Sequence, residues 1–202
     1  MVYDSHTYKK DKKVVRMNSN KDFSIIIPHY NIPDMLERLL QSIPLQDNIE
    51  VIVVDDKSDK NLDRLELLKQ NYPNVLFLDN TLSKGAGNSR NVGMNTAKGK
   101  WILFADADDY FTEDFHEIIS KHVDDKDDVI FFFPTSVDLK TGKETGRHVE
   151  FCKVLKRYLD EPSKKNELSL RFELVSPCSK LIRRDLVLQH GIQFENTSVA
   201  RG

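Results

Sequence analysis

Cysteine is scarce in this chain. Cys152 and Cys178 are the only two in 202 residues, and their spacing fits no zinc-ligand pattern. Two thiols make no disulfide framework, so they read as structural residues of a reducing compartment. Long apolar runs are missing too: no stretch approaches the roughly 20 apolar residues of a membrane span, and the start Met1-Val2-Tyr3-Asp4-Ser5-His6 lacks the apolar core of a secretion signal. A cytoplasmic protein is the expectation. Nor is there an excess of one charge. With 30 Lys and Arg against 32 Asp and Glu the formal charge is -2, which removes the global reason to bind nucleic acid. Lys9-Lys10-Asp11-Lys12-Lys13 allows at most peripheral contact with the inner face of an anionic membrane, and a merely solvated tail accounts for it equally. Internal repeats are absent.

What the chain does hold is enough apolar material for one substantial core, at 39% hydrophobic. Residues 1–22 are rich in Lys, Asp, Asn and Ser without a sustained period and read as a flexible tail; residues 23–202 read as the domain. Phe23-Ser24-Ile25-Ile26-Ile27-Pro28, Glu50 to Val54, Val75 to Leu78, Trp101 to Phe104 and Val129 to Phe133 are short apolar runs that predict buried strands. Between them lie helical stripes: Leu36, Leu39, Leu40 and Ile43 behind a cap at Asp34; Leu62, Leu65 and Leu68; Asn88 to Lys98; and Phe115, Ile118, Ile119 and His122 behind a cap at Thr112. Such alternation predicts an α/β fold, a mostly parallel sheet with helices on both faces. Further on, Asp138 to Gly142 predicts a turn between short strands, Phe151 to Leu159 a helical stripe, and Ser179 to His190 a helix stopped by Gly191.

Trp101-Ile102-Leu103-Phe104-Ala105-Asp106-Ala107-Asp108-Asp109 drives a strand straight into three carboxylates. Clustered like charges need a cation, and paired aspartates offer hard oxygen ligands to Mg²⁺ or Mn²⁺; a solvated acidic turn capping the next helix is the plainer alternative. Pro28, Asp55-Asp56 and Asp106 to Asp109 all fall at strand C-terminal ends, where parallel sheets gather their ligands. His29, also at a strand end, is either a base or a hydrogen-bonded turn residue.

Taken together these residues resemble the family-2 glycosyltransferases, whose fold is called GT-A. The resemblance runs from about Phe23 to the chain end and is densest up to Tyr110. Ser24 to Asn31 is similar to the family's opening strand and Pro-x-Tyr-Asn turn, which implies that Pro28, Tyr30 and Asn31 flank a nucleotide base. Val53-Val54-Asp55-Asp56-Lys57-Ser58 is similar to the segment whose second aspartate bonds the base. A carboxylate at Asp56 suits that role, because uracil offers an imide N–H that cytosine and adenine lack. Ser83-Lys84-Gly85-Ala86-Gly87-Asn88-Ser89-Arg90-Asn91-Val92-Gly93 resembles the glycine-rich loop leading into an Arg-Asn helix. Gly85 and Gly87 then allow close backbone approach, Arg90 clamps a phosphate or fixes the aspartates, and Lys84 is either a phosphate contact or solvated. The acidic run resembles the family's Asp-x-Asp signature, with Asp108 ligating the metal, Asp106 holding ribose or ion, and Asp109 able to serve in either place.

The segment Pro177 to Leu186, followed by Gly191-Ile192-Gln193-Phe194, resembles members that build bacterial surface polysaccharides such as capsule and lipopolysaccharide. In those members an acidic pair supplying the catalytic base follows some residues later. Glu195 comes too soon after Phe194 to match it well, so the base is expected beyond Gly202 and the chain is read as truncated. The resemblance implies an inverting transfer of sugar from a nucleoside diphosphate, favouring UDP, to a hydroxyl of a glycan or lipid-linked glycan, with a homodimer allowed. The alternatives are a non-catalytic nucleotide-binding module and a metal-dependent nucleotidyltransferase, although the latter usually places its glycine-rich loop directly after the first strand. A dinucleotide-binding fold is excluded, since no Gly-x-Gly-x-x-Gly follows Ile27.

Overall fold

The computed structural model describes residues 21–44 and 46–195. The expected tail over residues 1–20 lies outside them. Lys21 and Asp22 are laced to the sheet, their carbonyls accepting from Lys100 N–H at 3.1 Å and Trp101 N–H at 2.8 Å.

Seven helices and six strands alternate through most of the described chain: β1 (Phe23–His29), α1 (Pro33–Ser42), β2 (Ile49–Asp55), α2 (Leu62–Asn71), β3 (Val75–Asp79), α3 (Ala86–Thr96), β4 (Trp101–Phe104), α4 (Phe115–Ser120), β5 (Val129–Phe131), α5 (Val149–Asp160), α6 (Lys164–Glu173), β6 (Lys180–Arg183) and α7 (Arg184–His190). The strands form one sheet in the order β3-β2-β1-β4-β6-β5. The first four are parallel, and β6 runs antiparallel to both β4 and β5.

Central β1 is buried along its whole length, and its residues alternate between two cores. Ile25 and Ile27 pack with Leu36, Leu39 and Leu40 of α1, Leu65 and Leu68 of α2, and Ile119 of α4. On the opposite face Ile26, Ile52 and Ile102 pack with Met94 of α3 and Val187 of α7. A sheet covered on both sides explains why its inner strands read as continuous apolar runs. A third cluster, Val154, Leu155, Leu170 and Leu174, joins α5 to α6 with Phe131 of β5 against it.

Several local expectations differ from the structure. Asp34 is not the cap of α1: Pro33 occupies the first turn, where its fixed φ and missing N–H suit a helix start, and Asp34 instead pairs with Arg64 at 3.0 Å. At α4 the N-cap position is Asp114, and Thr112 contributes its carbonyl to Phe115 N–H at 3.0 Å. Strand β5 ends at Phe131, short of Phe133. The turn at Asp138–Gly142 joins a single bridge, Val137 to Glu144, rather than two strands. The stretch Ser179 to His190 divides into β6 and α7, because Leu181 and Ile182 complete the sheet beside β4 before the chain turns helical at Arg184.

Gly93 sets how closely α3 approaches the sheet. A Cβ there would lie 2.3 Å from Ile26 Cγ2, a side chain with no exposure in the strand that α3 crosses. Gly93→Ala is therefore expected to push α3 outward and to lower stability by roughly 1–3 kcal/mol. In thermal unfolding that is a drop of roughly 3–10 °C, and an unchanged midpoint would contradict the packing argument.

Candidate active site

Parallel β1, β2 and β4 all end at one rim. Antiparallel β6 brings its N-terminal side to the same place, where Cys178 bridges Phe104.

The β1 and β2 ends are fastened to each other. His29 is 1% exposed; its Nδ1 lies 2.8 Å from Asp55 Oδ1, and its Nε2 accepts from Ile32 N–H at 3.2 Å. An Nε2 that accepts must be unprotonated, so Nδ1–H is the donor to Asp55. Both nitrogens are committed, and His29 is a turn residue rather than a base. Asp55 also accepts from Ser58 Oγ at 2.6 Å and Ser58 N–H at 2.9 Å. Burial alone would raise its carboxyl, yet the hydrogen bonds from His29 and Ser58 outweigh it and hold Asp55 below the ordinary aspartate range. Asn31, at φ 60°, spends its side-chain oxygen on Asp59 N–H and Lys60 N–H, both at 2.9 Å. Pro28 is buried within β1 opposite Val54. Pro28, Asn31 and Asp55 therefore shape the turn, with the polar side-chain groups of Asn31 and Asp55 engaged inside the protein.

Asp56 sits at the centre of a polar cage. It is 6% exposed, and its Oδ1 accepts from Asn80 Nδ2 at 2.6 Å, Gly85 N–H at 3.0 Å and Ser89 Oγ at 3.1 Å. Its Oδ2 receives Gly85 N–H at 2.9 Å, and a carboxylate oxygen can accept more than one donor. Gly85 stands at the N-cap of α3 with φ 144°, a backbone state L side chains rarely adopt, so glycine is required there. Beside the cage, half-exposed Tyr30 carries the Lys84 ammonium 3.5 Å from its ring centroid. Asn80 and Ser89 were not anticipated from the sequence; an Asn directly after a strand and a Ser in a helix resemble ordinary turn and cap residues.

Next to Ser89 on α3, Arg90 donates to Asp106 Oδ1 at 2.5 Å, while its Nε is buried without an acceptor. Asp109 N–H donates to the Asp106 carbonyl at 2.9 Å, closing a turn that points residues 106 and 109 the same way. Asp106 N–H returns a bond to Asp109 Oδ2 at 3.2 Å. Carboxylate oxygens of Asp106 and Asp109 and Cys178 Sγ all lie within 4.8 Å of one another. Asp108 does not belong to this cluster. Asp108 and Asp109 are both exposed, and it is Asp109 that groups with Asp106.

Desolvation, then the charges of Asp106 and Asp108, hold the Asp109 carboxyl above the ordinary range. Burial, then the charges of Asp106 and Asp109, push the Cys178 thiol up to about 12, so it stays protonated at neutral pH and forms a wall rather than a hard-ion ligand. Two crowded carboxylates, one of them reluctant to ionise, fit a divalent oxygen-seeking cation such as Mg²⁺ or Mn²⁺, which would relieve their repulsion.

The chain returns to this rim at its far end. Asn91 Nδ2 donates to the Phe194 carbonyl at 3.0 Å, and Phe194 N–H donates to Asn91 Oδ1 at 2.8 Å. Phe194 meets Phe104 edge-on at 5.3 Å between centroids, and the Arg90 guanidinium lies 5.4 Å over its ring. Gly87 permits this docking, since a Cβ there would lie 3.1 Å from the Glu195 carbonyl and 3.2 Å from Phe194 Cβ. Glu195 itself is exposed.

Residues 24–191 match the description Glycosyl transferase family 2. The chain belongs to this family. Among curated relatives, the poly(ribitol-phosphate) beta-glucosyltransferase of Bacillus spizizenii is 43% identical over 93 residues, covering 43% of this chain and 15% of that protein. The fold is that of S. aureus TarS 1-349 in complex with UDP-GlcNAc, with a TM-score of 0.63, 24% identity, and coverage of 86% of this chain and 48% of that one. It is also that of the mannosyltransferase PcManGT from Pyrobaculum calidifontis in complex with GDP-Man and Mn²⁺, with a TM-score of 0.60, 18% identity, and coverage of 85% and 47%. The chain thus spans less than half the length of these proteins.

Two outcomes follow from the electrostatics of this family-2 site. Asp55, held below its ordinary value of 3.8, contributes stability that is complete above that pH and is lost as pH falls through its lower folded value. Asp55→Asn should lower the neutral-pH unfolding midpoint by roughly 3–10 °C and flatten the acid side of a Tm-against-pH profile; an unaltered acid limb would contradict the assignment. Asp109→Asn, by contrast, removes a strained charge. It should leave the metal-free midpoint equal or higher while weakening Mn²⁺ binding by more than about tenfold, measured by calorimetric titration.

Proposed function

We propose that this chain is the donor-binding part of a metal-dependent, inverting glycosyltransferase that moves a sugar from a nucleoside diphosphate, UDP in the first instance, to a hydroxyl of a bacterial cell-surface glycan or lipid-linked glycan. The observation that carries the reading is the convergence on one turn of α3, where Ser89 bonds Asp56 from β2 and the adjacent Arg90 bonds Asp106 from β4. In this reading a base site and a phosphate site lie side by side at the helix start.

In this reading Asp56 Oδ2 accepts the imide N–H of the base, with Tyr30 offering a ring face and the Gly85-to-Gly87 turn letting backbone approach the phosphates. Arg90 fixes Asp106 and presents positive charge to the diphosphate. Asp106 and Asp109 would hold a divalent ion, Mn²⁺ or Mg²⁺, whose positive charge would offset that of the diphosphate, with Asp108 a further carboxylate beside them. The acceptor hydroxyl attacks the anomeric carbon from the opposite side, the bond to the diphosphate oxygen breaks, and the acceptor proton passes to a carboxylate. Among the described residues Glu195, exposed beside the Asn91–Phe194 clamp, is a weak candidate for that carboxylate. The S. aureus and Pyrobaculum proteins, crystallised with UDP-GlcNAc and with GDP-Man and Mn²⁺, support the donor class and the cation. The Bacillus relative supports a surface-polymer acceptor.

Thermal shift against nucleoside diphosphates, with and without Mn²⁺, tests this reading. UDP with Mn²⁺ should stabilise the chain, CDP should do so less because it lacks the imide proton, and Asp56→Asn should narrow the difference between them. Stabilisation by CDP equal to that by UDP would defeat the base assignment. Nucleotide binding with no sugar transfer to any glycan acceptor would favour a non-catalytic module.

A further inference from the structure

The acidic turn is held from a second side by a residue that neither the family resemblance nor the metal chemistry singles out. Arg38, on α1, donates through its NH2 to the Asp108 carbonyl. Its guanidinium lies 5.5 Å over the Tyr110 ring. One turn further along the same helix, Ser42 Oγ accepts from Phe111 N–H at 2.9 Å. The outer half of the turn, residues 108–111, is thus pinned to α1 at three points, while its inner half is pinned to α3 through Arg90 and Asp106. α1 is a sound anchor, since Leu36, Leu39 and Leu40 are buried in the main core at 1% exposure or less. Arg38 Nε is buried and meets no acceptor among the described residues, so the guanidinium keeps this place without satisfying all of its own donors there.

We infer that Arg38 is a positioning residue for the cation site, fixing the turn so that the Asp106 and Asp109 carboxylates converge. The inference rests on the proposed reading that these two residues hold a divalent ion. Two opposing effects make it testable by sign. A cation that merely stands near two carboxylates repels a metal ion, so its removal should strengthen metal binding. A cation that holds the ligands in place should weaken metal binding when removed, on the order of tenfold for a residue acting through the ligands.

The experiment titrates Mn²⁺ into the whole chain and follows the free-ion electron paramagnetic resonance signal for wild type, Arg38→Gln and Arg38→Lys, with hydrogen exchange of amides 106–111 measured alongside. Expected are binding by wild type, affinity about tenfold weaker in Arg38→Gln with faster exchange in the turn and unchanged exchange in β1 and β2, and partial recovery in Arg38→Lys, which can still donate to the Asp108 carbonyl. Affinity in Arg38→Gln equal to or tighter than wild type would overturn the inference while leaving the metal reading intact. No Mn²⁺ binding by wild type would overturn the metal reading and the inference with it. Arg38→Lys matching Arg38→Gln in both readouts would also overturn it, since it would show that the donor to Asp108 is not what matters.

Discussion

The closeness of α3 to β1 is the constraint on which this rim depends. With only a hydrogen at position 93, the helix rests directly on Ile26, and three consecutive residues near its start then reach three different parts of the chain. Ser89 meets Asp56, Arg90 meets Asp106, and Asn91 meets Phe194. Successive residues on a helix point about 100° apart, so three neighbours can serve three directions at once. A small outward movement of the helix axis would loosen all three contacts together. The Arg-Asn pair therefore carries two separate duties, one toward the acidic turn and one toward the returning chain.

The polar groups at the rim fall into two kinds. Asp55, His29 and Asn31 are satisfied within the protein and form a fixed floor whose hydrogen bonds favour the charged carboxylate. Asp106 and Asp109 are only partly satisfied: a single guanidinium serves the first, and the second sits where its charge is disfavoured. A fold retains such crowding when the remainder of the structure over-determines it, and here α1, α3 and β4 all hold the turn. The contrast explains why adjacent aspartates at the end of one strand behave differently. Asp55 closes a turn between strands, whereas Asp56 faces α3.

Much of this was legible in the residues. Strands β1 to β4 were readable because a strand buried on both faces leaves an uninterrupted apolar run, and the rim followed because those runs end in Pro28, Asp55-Asp56 and Asp106. The gaps have physical causes. Strand β6 has four residues, too few to show a period of two, and the Leu181, Ile182 and Leu186 spacing mimics a helix. Helix α6 carries two buried residues, Asn166 and Leu170, so its stripe is faint and it was not foreseen. Sequence spacing does not reveal that the chain curls at Asp106; the backbone bond from Asp109 N–H to the Asp106 carbonyl is what brings residues 106 and 109 together. Asn80 and Arg38 act through long-range partners, which no local pattern encodes.

The clamp between Asn91 and Phe194 ties positions 103 residues apart. Closing so long a span costs little more entropy than closing one half its size, because that cost grows only with the logarithm of length. Its hold comes from two hydrogen bonds, an aromatic edge on Phe104, the Arg90 guanidinium over the ring and the packing of Phe194 against the second core. The wall that Phe194 lends to the rim therefore leans on α3 and β4 and adds no strand to the sheet.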